Sequence, residues 1–267
     1  MVEGAGKTLT TIAKLKKTYI KHTTRFIELD LLRGFAIIFM IFLHIIWDLD
    51  YFGLVPMNTQ IYKLQICVPA MFFVLLGICI HVSANKKIQN SIIDEKKYYK
   101  HLFLRGLKII GLGVIISLVS MVFLSDRPIF FGVLHCIGFS IILCIPFLKF
   151  KIFNLIPATF TIISGYLFGQ YTIDNPTVLH LAIGLHQSNI SQHTVDYFPL
   201  FPWFGACLIG LALGSILYKD NERKFRLPDL SVYTPVKLFS WLGKHSLIIY
   251  LIHQPIIAGV LSIFVIF

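Results

Sequence analysis

Residues 30–52, DLLRGFAIIFMIFLHIIWDLDYF, are apolar enough to cross a bilayer, yet they carry Arg33 and His44 inside the run and acids at Asp30 and Asp48. An ionisable side chain at bilayer depth costs on the order of 3 kcal/mol and is rarely kept without a role. At about 100° per residue, Arg33 and His44 return to within about 20° of one another, about 16 Å apart along the axis. Asp30 lies one turn before Arg33 and Asp48 one turn after His44, so the four make a polar stripe on an otherwise oily helix. Such a stripe is expected to face the bundle interior or a water-filled cavity.

Other stretches offer partners at matching depth. FFGVLHCIGFS carries His135, and KHSLIIYLIHQP sets Ser246, Tyr250 and His253 on one helical face, with Gln254 beside them. His44, His135 and His253 are therefore expected to converge near one level. The three are far apart in sequence and show no metal-ligand spacing, so no metal is expected. At the other end Arg33, His81, Arg105, Lys108 and Lys244 form a basic rim. It reads either as ordinary topology-setting charge or as a dock for a phosphorylated cofactor.

The elements that must position these residues are membrane helices. Of the 267 residues 56% are hydrophobic and 14% charged, against about 25% charged in soluble domains, and mean hydropathy is +0.77. The reading is an all-α, polytopic membrane bundle of about seven spans: 29–47, 63–82, 103–124, 129–148, 152–170, 200–218 and 236–262. An eighth is allowed if Pro255 breaks the last. Nothing alternates as the strands of a membrane barrel would. The net charge of +11 sits in short loops, where it sets topology and meets anionic lipid rather than nucleic acid. Lys and Arg crowd the N-terminal segment and loops 83–102, 149–151 and 219–235, and they are absent from 48–62 and 171–199. This pattern puts the N-terminus in the cytoplasm of a multi-pass cell-membrane protein. Residues 1–28 read as a basic cytoplasmic segment and 29–267 as one domain. GAGKT at 4–8 lacks the glycine and the preceding strand of a phosphate loop. The external segment 172–199 is long and polar and reads as a lid or re-entrant loop. The five cysteines are scattered singly and read as small hydrophobes.

Four blocks, RFIELDLLRGFAIIFMIFLHIIWDLDYFG, FGVLHCIGFSIIL, DYFPLFPWFGACLIG and WLGKHSLIIYLIHQP, together resemble the prokaryotic branch of the heparan-α-glucosaminide N-acetyltransferase catalytic-domain family. The Arg33-to-His44 spacing is also similar to an Arg–ten–His signature of the wider transmembrane acyltransferases that modify surface glycans. The namesake enzyme's own His–Ala–Ser setting is missing, so His44 matches the wider signature.

The resemblance implies transfer of an acyl group, acetyl in the first instance, from cytoplasmic acyl-CoA to a sugar hydroxyl or amine outside. Arg33, Asp30, Arg105, Lys108 and Lys244 would serve the CoA end. His44 would act as general base or acyl carrier, with Asp48 orienting its ring and His135 and His253 assisting. His253, Tyr250 or Gln254 would steady the oxyanion, and Tyr250, Gln254 and Asp196 would meet the acceptor. A passage should run from Arg33 past His44 to the 172–199 loop. Seven spans are fewer than the fuller family members carry, so a second copy of the chain is an admissible partner beside lipid and glycan. Two other readings stand beside this one: a proton-coupled small-solute transporter, since buried His and Asp chains serve proton relays, and a non-catalytic membrane scaffold.

Overall fold

A computed structural model describes residues 25–266 apart from 57, 90, 91 and 221. Most of the basic N-terminal segment, with the GAGKT stretch, lies outside the described residues. The chain is helical. In order it forms α1 (Ile27–Tyr51), the short α2 (Thr59–Leu64), α3 (Cys67–Ala84), α4 (Glu95–Phe123), α5 (Val133–Leu143), α6 (Leu155–Phe168), the short α7 (Val178–Ile183), α8 (Leu200–Leu217), α9 (Thr234–Lys244) and α10 (Ser246–Ile266). A two-residue hairpin, Tyr218–Lys219 with Glu222–Arg223, follows α8.

Among the described residues six helices are long and apolar enough to cross a membrane. The expected fourth span is shorter: α5 has 11 residues, about 17 Å at 1.5 Å per residue against a hydrocarbon core of about 30 Å. Pro146 accounts for the stop, since it has no N–H to continue the helix and disfavours helical geometry in the residue before it. The expected last span, 236–262, divides into α9 and α10, and it divides at His245 rather than at Pro255, which sits inside α10.

The core is built from α3, α5 and α8, where Phe73, Ile80, Cys136, Ile141, Cys207, Leu208 and Leu211 are almost fully buried. Around it the lipid-directed faces stay apolar and uncovered, as with Ile115 and Val122 on α4 and Ile248 and Ile256 on α10. Small residues set the closest crossings. A side chain at Gly210 would run into the Val74 carbonyl, and one at Gly77 into the Cys207 carbonyl, so α3 and α8 meet backbone to backbone. Gly210 belongs to a row of small residues at four-residue spacing, Ala206, Gly210 and Gly214, which lets helices approach closely.

The second such crossing holds the site. Gly34 on α1 faces the Phe239 carbonyl of α9, and Gly243 on α9 faces the Asp30 carbonyl of α1. This reciprocal contact fixes α9 across the N-terminal half of α1 and so decides where α10 begins. The start of α1 is also tied to the hairpin: Tyr218 donates to Glu28 Oε1 at 3.2 Å, and Arg223 pairs with Glu28 at 3.5 Å. Replacing Gly34 with Ala is expected to cost about 1–3 kcal/mol through overpacking, read as a lower thermal midpoint in detergent. Gly111→Ala on α4, where nothing lies within 4 Å, should be neutral or stabilising by about 0.5–1 kcal/mol. Equal midpoints for the two variants would contradict the crossing.

Candidate active site

His44 sits on the third quarter of α1 with its ring half-buried. Its Nδ1 lies 2.9 Å from the Met40 carbonyl oxygen, one turn back on the same helix. A carbonyl oxygen only accepts, so Nδ1 carries the proton and Nε2 of the neutral ring presents a lone pair. His253 on α10 is held in the same way, with Nδ1 at 2.6 Å from the Tyr250 carbonyl. Its Nε2 is buried without a hydrogen-bond partner. The two rings meet edge to face with centroids 4.7 Å apart. The arrangement is therefore a pair of imidazoles, both turned so that Nε2 can take a proton. Two positive charges so close would repel strongly, so the pair is suited to taking up one extra proton rather than two.

Asp48 is 2% exposed and does not orient His44. Its Oδ1 accepts from the Gln254 amide at 2.8 Å, while Oδ2 has no hydrogen-bond partner. The Met40 carbonyl supplies the orienting bond expected of Asp48. Of the three expected oxyanion donors, His253 already spends its N–H on Tyr250 and Gln254 donates to Asp48. The Tyr250 hydroxyl is left, and its ring lies 5.5 Å from that of His253.

Tyr250 also lines a small cavity with Gly113 and Ile116 of α4, His135 of α5 and Asp196 of the long loop. His135 stacks on Phe131 at 5.5 Å, and its Nδ1 accepts from the Gly132 N–H at 3.3 Å. Its proton therefore sits on Nε2, the opposite tautomer to His44, which makes it a donor rather than a base. Its ring packs against Gly113, where an added Cβ would sit tight against it at 3.1 Å. His135 thus reaches the level of the cluster through Tyr250 and not by touching His44. Asp196 caps α5, accepting from the Val133 N–H at 3.1 Å. Burial lifts its carboxyl from the ordinary 3.8 to about 6, and that hydrogen bond offsets part of the rise. The loop that delivers Asp196 is folded rather than loose: Thr177 caps α7, Leu181 and Ala182 are buried, and Tyr197 donates to the Leu181 carbonyl at 2.9 Å.

At the other end Asp30 is buried between Arg25 at 2.6 Å and Arg33 at 3.6 Å. Arg33 also reaches Cys79 and feels the charge of Arg105 on α4. Guanidiniums near enough to feel one another's charge supply the donors that phosphate oxygens accept from. Lys108 and Lys244 are exposed at this end. His81 is no part of the rim: it is buried between α3 and α8, with Nε2 2.8 Å from the Asn85 amide. The expected stripe is also interrupted. Ile37 and Met40, 1% and 5% exposed, fill the face of α1 between Arg33 and His44 and pack on Leu242, Ile249 and Tyr250. The helix beside them is less tightly joined: α4 packs closely along α5, and its approaches to α1 and α10 are through Arg105 near one end and the small cavity near the other.

The family model for heparan-alpha-glucosaminide N-acetyltransferase, catalytic, matches residues 25–255. The chain belongs to this family. It is a multi-pass membrane acyltransferase by class, and the family uses acetyl-CoA as its donor. No match is found among curated proteins or among solved structures. The match spans every residue placed in the site above, from Arg25 to Gln254.

Two features of this acyltransferase's site were invisible in its sequence. A backbone carbonyl as the ring-orienting partner leaves no mark on residue identity. Glu28, anchored by Tyr218 and Arg223, stands among the quoted acids of RFIELD but shows no partner at sequence range. Two outcomes follow from the contacts. Gln254→Leu should strand the Asp48 carboxyl and cost about 1–3 kcal/mol, while Asp48→Leu in that background should recover most of the loss in thermal midpoint. For Asp196, the raised value means the folded protein binds more protons than the unfolded chain. Its contribution to stability is therefore full below pH 3.8 and falls as pH rises through about 6. Comparison with Asp196→Asn across that range should isolate a slope of that sign.

Proposed function

We propose that the protein moves an acetyl group from acetyl-CoA, docked at the Arg33 end, to an amine or hydroxyl of a sugar presented at the His44 end. The reading places the Arg33 end in the cytoplasm, because the Lys- and Arg-rich segments lie on that side. The observation that carries it is the His44 ring: Nδ1–H tied to Met40, Nε2 left as the basic nitrogen, and a second imidazole held by its own Nδ1–H edge-on against it.

In the step itself, the acceptor's nitrogen or oxygen attacks the thioester carbonyl carbon while His44 Nε2 takes the acceptor's proton. The developing oxyanion is stabilised by the Tyr250 hydroxyl. Collapse breaks the carbon–sulfur bond, and the proton held on His44 leaves with the CoA thiolate. His253 shares the charge during that interval. Arg33 and Arg105 grip the phosphates of the donor. Since Ile37 and Met40 fill the face of α1, the donor's arm is assigned to the less tightly joined side, along α4.

His44→Ala should lower acetyl transfer to an amino sugar by about 10²–10⁴-fold, the usual worth of a positioned base, with the protein still folded. Arg33→Ala should raise KM for acetyl-CoA and leave kcat less affected. The measurement is release of free CoA by the purified protein in vesicles, with glucosamine as acceptor. Full activity in His44→Ala would overturn the assignment.

A further inference from the structure

Beyond the cluster lies a second, more open cleft of about 290 Å³, lined by Trp47, Asp50, Tyr51 and Arg127. Its size is near the low end of small-molecule sites, about 300 Å³, which suits one sugar unit better than a chain. Trp47 and Tyr51 are stacked, with ring centroids 5.2 Å apart and planes within 17°. The Arg127 guanidinium lies 5.8 Å from the Tyr51 ring centre. Tyr51 follows His44 by seven positions, so it shares that face of α1 and stands about 10 Å further along the axis.

Two elements build this cleft. One wall is the last turn of α1. The other is the turn between α4 and α5, which is held in place: the Ile129 N–H donates to Ser120 Oγ at 2.9 Å, and the Arg127 N–H donates to the Leu124 carbonyl at 3.0 Å. Arg127 is thereby fixed opposite the aromatic pair. An aromatic side chain that only anchors a protein at the lipid interface points to the headgroups and needs no charge brought from another helix pair. Here a stacked ledge, a carboxylate and a guanidinium share one concave space above His44.

We propose that this cleft is the docking subsite for the acceptor, and that it takes a single pyranose unit. The C–H face of a sugar ring lies on the Trp47–Tyr51 ledge, and its rim hydroxyls meet Asp50 and Arg127. A ring seated there presents its neighbouring group towards His44 Nε2, so the subsite selects the acceptor while the histidines do the proton transfer. The role in transfer rests on the function proposed above. The binding itself does not.

The test therefore has a binding arm without any acyl donor. In the full chain with Trp203→Phe and Trp241→Phe, Trp47 is the remaining tryptophan among three, and its fluorescence is titrated with methyl glucosaminide and methyl glucoside. Saturable change at millimolar sugar is expected, with Tyr51→Ala and Arg127→Ala raising Kd at least fivefold. In the kinetic arm, Trp47→Ala should raise KM for the sugar about tenfold and KM for acetyl-CoA by much less. Sugar binding with no transfer by the parent protein would keep the subsite and remove the acyltransferase role. Transfer that proceeds with the same sugar KM in Trp47→Ala, Tyr51→Ala and Arg127→Ala would overturn the subsite. So would variants that lose only thermal stability and keep their Kd, since the ring pair would then be an interfacial anchor.

Discussion

A polar group inside a bilayer has no water to turn to and must find its partner in the protein. In this chain that constraint explains both the geometry of the bundle and the shape of its site. Asp30 is shared by two arginines, Glu28 by a tyrosine and an arginine, and Asp48 by an amide on another helix. The Glu28 and Asp48 partnerships cross from one element to the next, so each also fixes the placement of a helix, while the Asp30 arginines come from α1 itself and the residues just before it. The helices are held apart or together by where their polar residues can be satisfied, and the apolar surfaces are left to lipid.

The same constraint makes the exceptions informative. His253 Nε2 and Asp48 Oδ2 are buried with no hydrogen-bond partner. Buried acceptors of this kind cost free energy unless something supplies a hydrogen. In the proposed reaction the missing donor is the acceptor's own proton, passed to the paired imidazoles. A site that is incomplete until substrate arrives is the usual form of catalytic preorganisation, because the electrostatic cost is met during folding rather than during the reaction.

The two ends of the site are reached by different means. Around His44 the partners come from α10 and from the loop before α8, and the Gly34–Gly243 crossing sets the starting point of α10. Around Arg33 they come from α3 and α4. The filled face between them, Ile37 and Met40, separates a charged docking end from a proton-transfer end. Such separation would hinder leakage of water and ions along α1, which a membrane protein with polar groups at both ends needs.

By itself the sequence determined that the chain is a membrane bundle, which helix carries the aligned polar residues, and which of them are costly to keep at bilayer depth. Composition and charge distribution are enough for that, because bilayer energetics act on single side chains whatever their neighbours. Asp30, Arg33, His44, Asp48, His253 and Tyr250 were all legible in this way, and so was the approach of His253 to His44. What only the tertiary structure decided was pairing. That His44 is oriented by its own helix and Asp48 by Gln254, that His135 has the opposite tautomer, and that Ile37 and Met40 close the stripe depend on helix rotation and crossing. Those are set by backbone contacts at Gly34, Gly243, Gly77 and Gly210. The split at His245 was hidden for the same reason: an apolar run records that a segment is buried or in lipid, but the point where it bends is chosen by what it packs against.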